Sequence, residues 1–168
     1  MNKFYQMIRL TLFLGIILIL QACASSHYYI VRHAEKESAV MSNPDVPLST
    51  AGKERAEALK LKLANKNINQ IFSTNTLRTK STAQPLSDAI NIPIQTYDPR
   101  DTVFINNIKL NSKGNVLIIG HSNTVDDIVN RFLMRQELTD LPESQYGDLF
   151  IVKRKGKKYS FEKQRFGK

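Results

Sequence analysis

Val116-Leu117-Ile118-Ile119-Gly120-His121-Ser122-Asn123 is an uncharged apolar run that ends in a glycine and three polar side chains. A run of this kind reads as a strand covered on both faces, the situation of a parallel sheet between layers of helices. Tyr28-Tyr29-Ile30-Val31-Arg32-His33 has the same form near the start of the chain. Outward from these two, short apolar runs alternate with amphipathic segments. Strands are expected over 70–73 and 94–97, and helices over 51–66, 79–90 and 125–133. A closing hairpin is expected over 149–155 and 158–166, turning at Gly156. The alternation predicts an α/β fold: one domain with an open, mostly parallel sheet and helices on both faces. The Ser/Asn/Pro-rich stretch 38–47 reads as a loop.

The chain has 168 residues, 42% of them hydrophobic and 23% charged, with one Cys and three His. A single Cys excludes an internal disulfide framework and a multi-thiolate zinc site, and three His leave little for a His-rich centre. No metal and no cofactor is therefore expected. The formal charge of +9 is unevenly placed. Lys3 and Arg9 give residues 1–22 a charge of +2, and residues 153–168 carry +7, with Glu162 the only acid there. The body between is neutral, which is not the distributed basic footprint of a nucleic-acid-binding domain. No nucleic-acid partner is expected, and the basic tail reads as a solvated hairpin protecting a sheet edge.

The eleven residues 10–20 are apolar save Thr11 and follow Lys3 and Arg9. That is too short for a bilayer core, which needs about 20 residues, and reads as a signal sequence over 1–22. Leu20-Gln21-Ala22-Cys23 follows directly and holds the only cysteine. It resembles the lipobox of bacterial lipoproteins, in which the Cys is acylated. The resemblance implies a lipid anchor at Cys23, a domain over 23–168, and a place in the cell envelope facing the periplasm or exterior. Ordinary cleavage after Ala24 is the other reading, and it also exports the domain.

Ligands of open α/β sheets bind beyond the carboxyl ends of the strands. Arg32-His33 and His121-Ser122 both stand at such ends. Arg78 lies where the second strand gives way to a helix N-terminus, a place that favours an anion. Two Arg and two His converging there suggest a phosphate site. His27 reads as structural, and Asp126 and Asp127 as acids favouring a helix dipole.

Arg32-His33-Ala34-Glu35-Lys36 resembles the Arg-His-Gly motif of the histidine phosphatase (phosphoglycerate-mutase-like) superfamily. Leu48-Ser49-Thr50-Ala51-Gly52-Lys53-Glu54-Arg55-Ala56, Ser73 through Arg78-Thr79-Lys80-Ser81-Thr82-Ala83, and Gly120-His121-Ser122 follow in the family's order. Ala34 stands where the family usually has Gly. The resemblance implies a metal-independent phosphatase that works through a phosphohistidine at His33. Arg32, Arg78 and His121 would clamp the phosphoryl oxygens, with Ser122 in the binding set. The family places its general acid variably, often after the strand that follows the Arg-Thr helix, here in Tyr97-Asp98-Pro99-Arg100-Asp101. Asp98, directly after that strand, is the expected acid, ahead of Asp101, with Glu35 third. The implied partner is a phosphorylated small molecule or a phosphoprotein. The alternatives are a non-catalytic phosphate-ligand-binding lipoprotein and a phosphomutase. The 146 residues from Cys23 onward leave little for the long lid of a mutase, which favours hydrolysis.

Overall fold

The computed structural model describes residues 25–38, 45–112 and 114–167. The signal-sequence reading and Cys23 lie outside the described residues. Six strands form one sheet: β1 (Ser25–Arg32), β2 (Ile68–Thr74), β3 (Ile94–Tyr97), β4 (Asn115–Gly120), β5 (Asp148–Lys155) and β6 (Lys158–Arg165), in the order β3-β2-β4-β1-β5-β6. The four from β3 to β1 run parallel, and β5 and β6 add an antiparallel hairpin. The helices are α1 (Thr50–Leu63), α2 (Leu77–Ile90), α3 (Phe104–Asn111) and α4 (Val125–Leu133).

The two apolar runs that decide the fold lie side by side, with Tyr28 opposite Val116 and Arg32 opposite Gly120. Side chains alternate across a strand, so Tyr28, Ile30, Val116 and Ile118 face α3 and α4. Tyr29, Val31, Leu117 and Ile119 face α1 and α2, through Leu59, Leu63, Ala83 and Leu86. The expected helices on both faces are present. One helix lies outside the expected set: α3 joins the sheet through Phe104, Ile105 and Ile108. The outermost strand β6 displays Lys158 and Lys163 to solvent, in keeping with an edge that resists further pairing.

Ser49 caps α1 by accepting a bond from the Gly52 amide at 3.1 Å, and its own amide donates to the Glu35 carbonyl at 3.0 Å. A Cβ on Gly52 would stand 2.0 Å from that carbonyl oxygen, so only glycine lets the helix come this close. Three residues on, Arg55 grips the Glu35 carboxylate through Nε at 2.8–2.9 Å and Nη2 at 2.6 Å. The base of the 38–47 loop is closed by Glu37 N–H donating to the Pro47 carbonyl at 3.0 Å. The segment that leaves β1 is thereby fixed from the α1 side.

Candidate active site

His33 continues β1, and its amide donates to the Gly120 carbonyl at 2.9 Å. Its ring is buried, with Nδ1 2.8 Å from the Ala34 carbonyl. A carbonyl can only accept, so Nδ1 carries the proton and Nε2 keeps the lone pair. Burial pushes the imidazole pKa down to about 4, against the Ala34 bond but with help from Arg32, Arg78 and His121. The ring is neutral near pH 7.

His121 follows β4, and the two rings stand edge to face with centroids 5.5 Å apart. Its Nε2 lies 2.9 Å from Thr74 Oγ1, at the end of β2, which also bonds Thr79 of α2. Burial, Arg78 and Arg32 lower this ring to about 4 as well. Three adjacent strands, β2, β4 and β1, thus end in one polar cluster. It opens into a cleft of about 440 Å³ lined by His33, Lys36, Arg78, His121, Ser122, Asn123, Asp140, Leu141 and Glu143.

Ala34 adopts no positive φ, and its methyl is buried against Leu48 and Ala56. Its departure from glycine is accommodated. Its amide donates to Thr82 Oγ1 of α2 at 2.9 Å, tying the His33 segment to the helix that carries Arg78.

Arg32 is buried beside the cleft and grips a loop. Nη1 donates to the carbonyls of Pro142, Glu143 and Gln145 at 3.0–3.1 Å, Nη2 to the Glu143 carboxylate at 2.8 Å, and the guanidinium covers the Tyr146 ring at 4.3 Å. Its Nε, like that of Arg78, is covered and has no partner among the described residues. Arg78 Nη1 lies 3.7 Å from Asp45, whose carboxylate also takes the first amide of α2, that of Leu77, at 2.9 Å. The anion at that helix N-terminus is therefore the protein's own.

The structure brings together Arg32, His33, Arg78, His121 and Ser122. It does not bring Asp98 to them. Asp98 follows β3, the edge strand, which sits two places from β4 and three from β1, on the order of 10–14 Å away. It accepts from the Arg100 amide at 2.9 Å and pairs with the Arg100 guanidinium at 3.1 Å in solvent. Asp98 closes a turn, and the expectation of a general acid there is corrected. Asp101 likewise closes an exposed turn on the Val103 amide, and Glu35 is held by Arg55.

Sequence reasoning missed Glu143 and the loop that carries it. Residues 134–147 join α4 to β5 without regular structure, a length at which loops are commonly functional. The Leu141 amide docks on the Ser122 carbonyl at 2.9 Å. Glu143 then reaches Ser122 Oγ and Arg32 Nη2 at the cleft mouth.

The family model for the histidine phosphatase superfamily (branch 1) matches residues 28–100. The matched stretch takes in Arg32, His33 and Arg78, stops before β4, and spans less than half of the chain. The chain's fold is shared with a protein histidine phosphatase SixA solved with tungstate, at TM-score 0.65 and 19% identity, covering 83% of this chain and 96% of that one. A phosphoserine phosphatase from Entamoeba histolytica, solved with 3-phosphoglyceric acid, gives 0.64 and 11% over 85% and 97%. A mycobacterial glucosyl-3-phosphoglycerate phosphatase gives 0.58 and 12% over 77% and 90%. No curated protein sequence matches the chain.

Proposed function

We propose that the chain is a histidine phosphatase, hydrolysing phosphomonoesters or phosphohistidine by way of a phosphoenzyme on His33, outside the cytoplasm and tethered through Cys23. One observation carries the chemistry. A neutral imidazole with its proton parked on the Ala34 carbonyl stands in a cleft lined by the Arg78 guanidinium, with the charge of Arg32 close behind it. Nε2 attacks phosphorus, and the developing charge on the non-bridging oxygens is met by Arg78 and Arg32. His121, oriented by Thr74, is a further polar group beside the phosphoryl oxygens. Water then cleaves the phosphohistidine. The phosphatase descriptions of three proteins sharing the fold support hydrolysis over transfer.

The test is direct. Purified protein should hydrolyse an aryl phosphate in EDTA and form an acid-labile, alkali-stable phosphoenzyme, and His33→Ala should abolish both. Complete inactivation by EDTA, restored by a divalent ion, would overturn this reading.

A further inference from the structure

We infer that Glu143 is the proton donor to the leaving oxygen, and the base that later activates water. The inference rests on the phosphatase reading above and names the acid that this reading lacks. His33 is buried at the cleft floor, while the Glu143 side chain is 74% exposed at its mouth. In a displacement at phosphorus the attacking and leaving groups lie roughly in line. With the nucleophile on the floor, the leaving oxygen departs toward the mouth, where Glu143 stands. No other acid among the described residues fits as well: Asp98 and Asp101 close exposed turns, and Glu35 does not line the cleft. Asp140 shares the cleft lining, but only Glu143 touches both Arg32 and Ser122.

In the free protein Glu143 is ionised. The bond from Ser122 and the charges of Arg32 and Lys36 hold its carboxyl below the usual range. The groups that face it are Arg32 from β1, Lys36 just beyond it, His121 and Ser122 after β4, and Asp140 on its own loop. A phosphate dianion entering the cleft competes for Arg32 Nη2 and places two negative charges beside the carboxylate. Both effects favour the protonated form, the proton coming from solvent or from a monoanionic ester. As the Nε2–P bond forms and the P–O bond breaks, the leaving oxygen takes that proton and Glu143 becomes a carboxylate. Water then attacks phosphorus, gives its proton to Glu143, and the N–P electron pair returns to Nε2. As phosphate departs Glu143 releases that proton to solvent, and the enzyme ends as it began.

Leaving groups provide the test, on the full-length protein. An alkyl ester such as glycerol phosphate needs its oxygen protonated as the bond breaks, whereas nitrophenolate leaves unaided. Glu143→Gln should lower kcat/KM for glycerol phosphate about 10²–10⁴-fold and for p-nitrophenyl phosphate less than about tenfold. It should also abolish the alkaline limb of the alkyl-ester pH profile, and Glu143→Asp should restore part of the alkyl rate. Equal losses on both esters would overturn the inference by making the residue a positioning group for Arg32. A gain on both would overturn it by making the carboxylate a plug. A wild-type protein inert on both esters overturns the phosphatase reading and this one with it.

Discussion

Replacing His33 with Asn tests the electrostatics of the site without reference to any substrate. Asn can place an amide N–H where Nδ1 now donates to Ala34, so the local bond is kept while the titratable ring is removed. The unfolded chain holds His33 near its ordinary value of 6.5, and burial lowers it to about 4 in the fold. Between those values the unfolded chain binds more protons than the native one. Stability contributed by the neutral ring is therefore present at pH 7 and is lost as the pH falls through this window. A tenfold change in proton affinity between the two states corresponds to about 1.4 kcal/mol. Integrated from pH 7 to pH 5, the loss at His33 is about 2 kcal/mol. His121 acts in the same direction but is less buried, so solvent screening reduces its share. Carboxyls held low, such as Glu143, release their contribution only at more acidic pH. Urea denaturation at pH 7 and pH 5 reads the difference. The wild-type midpoint should fall by about 1 M more than that of His33→Asn, for an m-value of about 2 kcal/mol/M. Equal falls would refute the claim that His33 is buried as a neutral ring.

Gly52→Ala forces a Cβ onto the Glu35 carbonyl and should destabilise the domain by about 3 kcal/mol, read by chemical denaturation. Thr74→Val removes the hydroxyl partner of His121. It should cost about 1 kcal/mol of stability and lower aryl phosphatase turnover at least severalfold, seen in steady-state kinetics. Asp98→Asn should leave kcat/KM within about twofold on alkyl and aryl esters alike, because its carboxylate only closes a turn with Arg100. Cys23→Ser should move the protein from the membrane fraction to the soluble one, and identical fractionation of the two would exclude the tether.

The parallel core was legible because strands buried on both faces cannot hide their composition. Val116–Gly120 and Tyr28–Val31 have no charged side chain to place, and the His and Arg that follow them have nowhere to go but the sheet's carboxyl edge. The helix α3 was not legible for the opposite reason. It is eight residues long, three of them Asn, and its apolar face only becomes a face once Phe104 stacks on Tyr97. Asp98 misled because adjacency to a strand end says nothing about which strand. Only the order of the sheet shows that β3 is the outer edge, too far from β1 for the short Asp98 side chain beyond it to reach the polar cluster. Glu143 was illegible for lack of any local signature. Its position is decided by Arg32, 111 residues earlier in the chain, which collects three loop carbonyls on one nitrogen. No periodicity reports such a contact.

β1 also acts as a ruler. Its eight residues run from Ser25 to Arg32, about 23 Å at the rise of an extended strand, and Ser25 pairs with Lys155 beside the hairpin tip. For a chain tethered at Cys23, the lysine-bearing tip lies at the bilayer end and the cleft opens at the far end. With β1 along the membrane normal, the cleft would be held at a standoff of roughly two nanometres, beyond the Debye length of physiological saline. A substrate would arrive from solution without feeling the surface potential of the membrane, and a phosphate still attached to a lipid headgroup would be out of reach.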